Sequence, residues 1–412
     1  LTRAPGCLSC DTALRDTLVD LGEQPLANSY PSREQLARGN EPRYPLHARV
    51  CAKCLLVQVE PVVPPTEIFT EYPYFSSYSA SWLEHTAEFA RLVIDRLRLD
   101  ERSIVVEAAS NDGYLLRNFV DAGIPVLGIE PARNVAAAAI AAGVPTEVGF
   151  LGRERAAAIV EREQAADLVV ANNVLAHVPD LNDFVGALHA LLKPAGVLTI
   201  EVPHVLRMIE RVEFDTIYHE HLSYFSLLAA QDVLSRRGLR IFDVDELPTH
   251  GGSLRLWACR RETDYETKPA VKRVLEAERT AGLDSVAGYS GFSKGVESLL
   301  RELRRFVEDA KSKGSRIAAY GAAAKGSTLL NTAAFTTDEI DYVVDRNPHK
   351  QGRFMPGSRL PILEPGYVLD DRPDFLLLLA WNLRDEIINQ MARVRDWGCQ
   401  FVVPGPRLEL VP

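Results

Sequence analysis

Ser103-Ile104-Val105-Val106-Glu107-Ala108-Ala109-Ser110-Asn111-Asp112-Gly113 is the stretch on which the fold turns. A short β-branched run ends on an acid, passes through a polar turn closed by glycine, and opens a helical pattern at about Tyr114. Apolar runs of the same kind recur at Pro125–Glu130, Asp167–Ala171 and Gly196–Val202, with helical stretches between them. That alternation predicts an α/β fold with a parallel, doubly wound sheet, whose ligands bind outside the C-terminal ends of the strands.

The strand ends carry the polar residues. Glu107 closes the first strand and Glu130 the second, where an acidic side chain can take both hydroxyls of a ribose. No G-x-G-x-x-G follows the first strand, and an acidic turn would repel a pyrophosphate. S-adenosylmethionine has no phosphate and carries positive charge, so the two acids suit it better than a dinucleotide. The plain alternative is a pair of loop-capping carboxylates. After the third run, Asn172 and Asn173 either meet a ligand's polar edge or cap the next helix, and His177 is either a site residue or a core histidine. Upstream, the aromatic segment Glu71–Trp82 either packs beneath the helix that follows or forms a lid bringing Tyr78 to a ligand.

A length of 412 residues implies two or three domains. The 47% hydrophobic and 25% charged content is that of a soluble globular protein. A net charge of -10 argues against a general nucleic-acid binder, which needs a basic face. No run approaches the roughly 18 apolar residues of a membrane span, and the N-terminus lacks a signal-peptide core, so no membrane partner and a cytoplasmic location are expected. Of six cysteines, four fall as Cys7-x-x-Cys10 and Cys51-x-x-Cys54. Two such knuckles can close a tetrahedral zinc site with no position left for substrate, which predicts structural zinc. Cys259 and Cys399 read as buried thiols.

Further on, Tyr218-His219-Glu220-His221 places a phenol, two imidazoles and a carboxylate in four residues after the fourth apolar run. Position three after Glu220 is Ser223, so the zinc-protease H-E-x-x-H is absent. His250-Gly251-Gly252-Ser253 reads as a glycine turn entering a strand, with Arg255 an ordinary ion-pair partner. Residues 268–312 are helical by period, with Val296, Leu299, Leu300, Leu303, Phe306, Val307 and Ala310 on one face. A second α/β unit starts at Ser315–Tyr320. Its turn, Gly321-Ala-Ala-Ala-Lys325-Gly326, is not a P-loop, because the lysine precedes the second glycine. The turn and the basic His349-Lys350 pair can hold phosphate oxygens, or the unit is only scaffold.

Together these motifs, with Tyr74-Phe-Ser-Ser-Tyr78 and Val174-Leu-Ala-His177-Val-Pro, resemble the nucleotide-sugar C-methyltransferases of antibiotic deoxysugar pathways, across nearly the whole chain and in family order. The resemblance implies a zinc-binding domain over 1–67, a Rossmann-like class I S-adenosylmethionine methyltransferase domain over 68–295 and a second Rossmann-like domain over 296–412. A dTDP-4-keto-deoxysugar would lie between the last two, with methylation expected at C-3 and C-5 or another ring carbon as the alternative. It implies His221 as general base with Tyr218, Glu220 and His177 beside the sugar. Tyr78, Glu107, Ser110, Asn111, Asp112, Gly113, Glu130, Phe150, Asn172 and Asn173 would form the donor site. Tyr224, His250, Lys325, His349, Lys350 and Arg353 would meet the substrate. A monomer is expected. An NAD-dependent sugar-nucleotide oxidoreductase built on the Gly321 turn and Asp345 is the rival reading.

Overall fold

The computed structural model describes residues 5–39, 41–69, 76–78 and 80–412, without the side chains of Phe69, Tyr78, Ala80 and Ser81. Among these residues the strands form three sheets. The first joins β1 (Asp16–Gln24), β2 (Tyr44–Val50) and β3 (Val57–Gln58) in antiparallel register. None of its strands was anticipated, although β2 alternates buried Leu46, Ala48 and Val50 with half-buried His47 and Arg49.

The second sheet contains β4 (Val105–Ala108), β5 (Val126–Glu130), β6 (Thr146–Val148), β7 (Ala166–Val170) and β8 (Leu192–Pro203). The chain then leaves it for β9 (Ser223–Tyr224), which pairs with β3 of the first sheet, and returns as β10 (Leu239–Leu247) and β11 (Ser253–Arg260). The order is β10-β11-β8-β7-β4-β5-β6, parallel except for β11, which runs against both of its neighbours. The four expected strands are all present. Successive residues feed opposite faces, as a pleated strand requires: Val106 and Val169 pack into one core, Val105, Leu168 and Val170 into the other. The order reverses between β4 and β7, which opens the crevice where such sheets bind ligands.

The helical region after β11 is two helices, Pro269–Thr280 and Phe292–Ser312. They break where Gly282 takes a positive φ of 81° and Gly288 lies against its backbone, leaving no room for a Cβ. The second helix buries Val296, Leu299, Leu300, Leu303, Val307 and Ala310, with Phe306 partly buried, against a core shared with β1, β2 and the third sheet. That sheet holds β12 (Ile317–Tyr320), β13 (Val343–Val344), β14 (Ile362–Leu363), β15 (Phe375–Leu378), β16 (Gln400–Val403) and β17 (Glu409–Val411) in the order β14-β13-β12-β15-β16-β17. Only β17 is antiparallel.

The segment 214–225 lies where all three units meet. Phe214, Ile217 and Leu222 belong to the shared core, Val59 N–H donates to the Leu222 carbonyl at 3.0 Å, and the Thr328 hydroxyl donates to the Ile217 carbonyl at 3.0 Å. Among the described residues no helix is long and apolar enough to cross a membrane.

Candidate active site

The two cysteine knuckles are built alike. Asp11 N–H returns to the Cys7 carbonyl and Leu55 N–H to the Cys51 carbonyl, both at 2.9 Å, and Asp11 and Leu55 each take a positive φ of 60°. The turns aim four Sγ atoms at one point. Cys7 and Cys54 are 3.5 Å apart, Cys10 and Cys51 3.4 Å, and all four lie within 4.8 Å of one another. Tetrahedral zinc with bonds of about 2.3 Å sets its sulfurs about 3.8 Å apart, so the donor set fits zinc and leaves no open position. The centre packs on the methyltransferase core rather than at its ligand crevice: Cys7, Cys51 and Cys54 join the face that holds Val106 and Val169.

At the C-terminal ends of β4 and β7, buried polar atoms accumulate without partners. Glu107, 1% exposed, has a free Oε2 among the described residues, as do Ser110 Oγ, Asp112 Oδ1, Asn172 Oδ1 and Asn173 Nδ2. Burial, reinforced by the charges of Glu130 and Asp112, pushes the Glu107 carboxyl well above the usual carboxylate range. Glu130 is raised too, by burial, although its two oxygens accept from Asn111 N–H at 2.9 Å and Ala132 N–H at 2.8 Å. Glu130 therefore shapes the turn after β4 as well as facing the crevice. Ala109, Asn111 and Gly113 all have positive φ there, and a Cβ on Gly113 would stand 2.9 Å from Val144. Glycine at 113 thus serves helix packing. Three buried acids, two of them, Glu107 and Asp112, with an orphaned oxygen, are costly unless a cation and hydroxyl donors meet them, which S-adenosylmethionine supplies.

Ser76 N–H donates to Asn111 Oδ1 at 2.9 Å and Ser77 N–H to Asp112 Oδ2 at 3.2 Å, so the aromatic segment docks on this turn. Tyr78 contributes backbone to the short helix Ser76–Tyr78; its side chain, and Tyr74 and Phe75 entirely, lie outside the described residues. Phe150 follows β6 with 45% of its surface exposed.

Tyr218, His221 and His177 gather in one cluster. Tyr218 Oη and His221 Nε2 are 2.7 Å apart, and the His221 and His177 rings meet edge to face at 4.6 Å. His177 Nδ1 is 2.7 Å from the Glu220 carbonyl, an acceptor only, so that nitrogen carries the proton. Burial lowers His177 to about 4. Burial, then the charges of His177, Lys325 and His250, hold His221 well below its usual value. Both rings are neutral at physiological pH. Tyr224 sits behind them in β9, buried, its hydroxyl donating to the Thr216 carbonyl at 3.4 Å. His219 is buried away from the pair, edge to face with Tyr44.

The other expected substrate residues each make contacts of their own. His250, at a positive φ of 57°, faces the Trp82 ring at 5.3 Å, and burial lowers it to about 4. Lys325 lies over the Trp381 ring at 4.4 Å and reaches Asn382 Oδ1 at 3.4 Å. Burial lowers its ammonium, opposed by the charges of Asp215 and Glu213. Lys350 donates to the Ala322 carbonyl at 2.7 Å and lies over the Tyr30 ring, while His349 is exposed and Arg353 donates to the Tyr30 carbonyl at 3.2 Å. The Gly321 turn is thus covered by the protein's own groups: Asp345 accepts from Ala322 N–H at 2.7 Å, and Tyr30 and Lys350 both donate to the Ala322 carbonyl.

Sequence reasoning missed several residues. Glu201, 1% exposed, binds Arg255 at 2.6 Å and His85 at 3.1 Å; burial works upward, but those partners hold its carboxyl below its ordinary value. Arg255 is the ion-pair partner expected. Trp381 N–H donates to Asp215 at 2.6 Å, and Asp215 is raised to about 6 by burial. The position of Trp381 at the end of β15 was its one legible signal. Asn28, which donates to Glu220, left none.

A β6-β5-β4-β7-β8-β11-β10 sheet with one reversed strand, bearing acids on β4 and β5, defines a Rossmann-like class I S-adenosylmethionine-dependent methyltransferase. Family models match in three consecutive parts: "Putative zinc binding domain" over 7–69, "Methyltransferase domain" over 82–244 and "C-methyltransferase C-terminal domain" over 248–406. C-methyltransferase NovU of Streptomyces niveus is 36% identical over 394 residues, covering 96% of this chain and 94% of that protein. A ubiquinone biosynthesis O-methyltransferase of Rhodopseudomonas palustris is 30% identical over 167 residues, 34% of this chain and 63% of its own. Among solved structures, the magnesium protoporphyrin IX methyltransferase of Synechocystis with bound S-adenosylmethionine is 14% identical, with a TM-score of 0.33 over 43% of this chain and 79% of that one. The chain belongs to the C-methyltransferase family and is an S-adenosylmethionine-dependent enzyme with a structural zinc centre.

Proposed function

We propose that this enzyme transfers the methyl group of S-adenosylmethionine to C-3 of a dTDP-4-keto-deoxysugar, in building an antibiotic's sugar. The neutral His221–His177 pair beside Tyr218 supports this reading most, because carbon needs a base before it can be methylated. A C4 ketone lets the hydrogen on C-3 leave as a proton and spreads the charge into an enolate. His221 accepts that proton; a neutral imidazole at physiological pH can do so. Tyr218 or a histidine N–H donates to the enolate oxygen. The carboxylates at the ends of β4 and β5 hold the donor, whose electrophilic methyl the carbanion attacks. The new C–C bond replaces the S–CH3 bond, leaving S-adenosylhomocysteine, and holding both reactants in line lowers the entropic barrier.

On this reading the chain divides at 1–67, 68–295 and 296–412, acts as a cytoplasmic monomer and holds the sugar nucleotide between its last two parts. His349 and Arg353, exposed, are the diphosphate candidates. Lys325 and Lys350 place positive charge nearer the sugar. Incubation with S-adenosylmethionine and a panel of dTDP-4-keto sugars tests it. A methyl's mass gained by one sugar, matched by S-adenosylhomocysteine, supports the assignment; intact donor across the panel refutes it.

A further inference from the structure

The zinc-bearing unit sends residues 24–31 across the molecule, and this strap is bolted to the C-terminal unit at both ends. Gln24 Nε2 donates to the Thr332 hydroxyl at 2.9 Å, Ser327 to the Ala27 carbonyl at 2.9 Å, Arg353 to the Tyr30 carbonyl and Phe354 N–H to the Pro31 carbonyl at 3.1 Å. In its middle, Asn28 Nδ2 donates to both Glu220 oxygens, at 2.8 and 2.9 Å, while its Oδ1 lies 3.0 Å from the Tyr30 hydroxyl, whose one proton it shares with the Ala322 carbonyl. Those contacts leave the Asn28 amide one orientation. Glu220, 4% exposed, in turn presents its carbonyl to His177 Nδ1 and precedes His221 in the chain.

We propose that Asn28 is a positioning residue: by clamping the Glu220 carboxylate it fixes the turn from which both imidazoles are aimed, and so links the C-terminal unit to the base. The inference rests on His221 and His177 being the reacting pair. Glu220 is faced by Lys350 from the C-terminal unit and by Tyr30 from the strap, both of which also feel the charge of Asp345, while its backbone carbonyl meets His177 of the methyltransferase unit. Burial, then the charges of Asp345 and Glu220, keep Tyr30 protonated well above its usual range, so it remains a donor.

An Asn28→Asp enzyme keeps the shape but sets two carboxylates against each other. They must share one proton, which pushes one carboxyl upward. The expected result is a fall in kcat of about a hundredfold at pH 8, shrinking to about tenfold at pH 6 as that proton returns. The imidazoles stay neutral over this range, so the recovery belongs to the clamp. The donor's Kd and the zinc content stay at wild-type values. Asn28→Ala should lose about tenfold or more at every pH. A substrate-independent readout separates this from the sugar assignment: the His177 Nδ1–H resonance, held by the Glu220 carbonyl, should shift or broaden in both variants even if no sugar is turned over. Wild-type kcat in Asn28→Asp at pH 8, a loss equal at pH 6 and 8, or an unmoved His177 resonance in Asn28→Ala would each overturn the positioning role.

Discussion

Two side chains face opposite tests of the same account. His221→Asn removes the proposed proton acceptor without disturbing the donor crevice, so kcat should fall by about 10²–10⁴-fold while calorimetry finds donor affinity unchanged. Glu107→Gln should do the reverse, weakening the donor by roughly tenfold or more, since a charged hydrogen bond contributes about 1.5–3 kcal/mol. Its effect on the ligand-free fold has the other sign. The folded Glu107 carboxyl is raised above its unfolded value, so the folded state binds the extra proton and loses stability as pH rises above about 4.5. At pH 8 the ligand-free variant should therefore melt at or above the wild-type temperature. The two carboxylates were legible in the sequence because strand ends announce themselves; Asn28 was not, because its contact spans 192 residues of chain.

Among the elements, β9 is the informative one. It is two residues long and pairs with β3, which follows the Cys51–Cys54 knuckle directly. Loss of zinc loosens β3, and with it the strand that carries the chain away from His221. A Cys51→Ser enzyme should lose its metal and about tenfold or more in turnover, while the donor crevice on a different sheet still binds S-adenosylmethionine. Metal analysis beside a binding isotherm checks both halves. No periodicity marks so short a strand: Ser223-Tyr224 has no alternation to read, and its pairing partner is equally short, two residues inside the apolar run Leu55–Val59. The parallel strands β4, β5, β7 and β8 were legible because their two buried faces demand continuous apolar runs.

At the scale of the molecule, the segment carrying the proposed base is a meeting point of three units, and burial sets the low basicity of the histidines there. Burial holds His177 and His250 near 4, and the unfolded chain's imidazoles protonate at about 6.5. The unfolded state binds more protons between those values, so these groups cost stability as pH falls from 6.5 towards 4, whereas the base remains unprotonated. The acid limb of kcat should accordingly lie below about pH 5 rather than near 6.5. A limb at 6.5 would mean a solvent-exposed base. The most direct test of the central claim is NMR of the sugar recovered after reaction with S-adenosylmethionine and a dTDP-4-keto-deoxysugar. The account predicts a methyl bonded to C-3, beside the ketone, with the hydrogen on that carbon gone; a methyl on oxygen or nitrogen, or on a carbon not adjacent to the ketone, would contradict it.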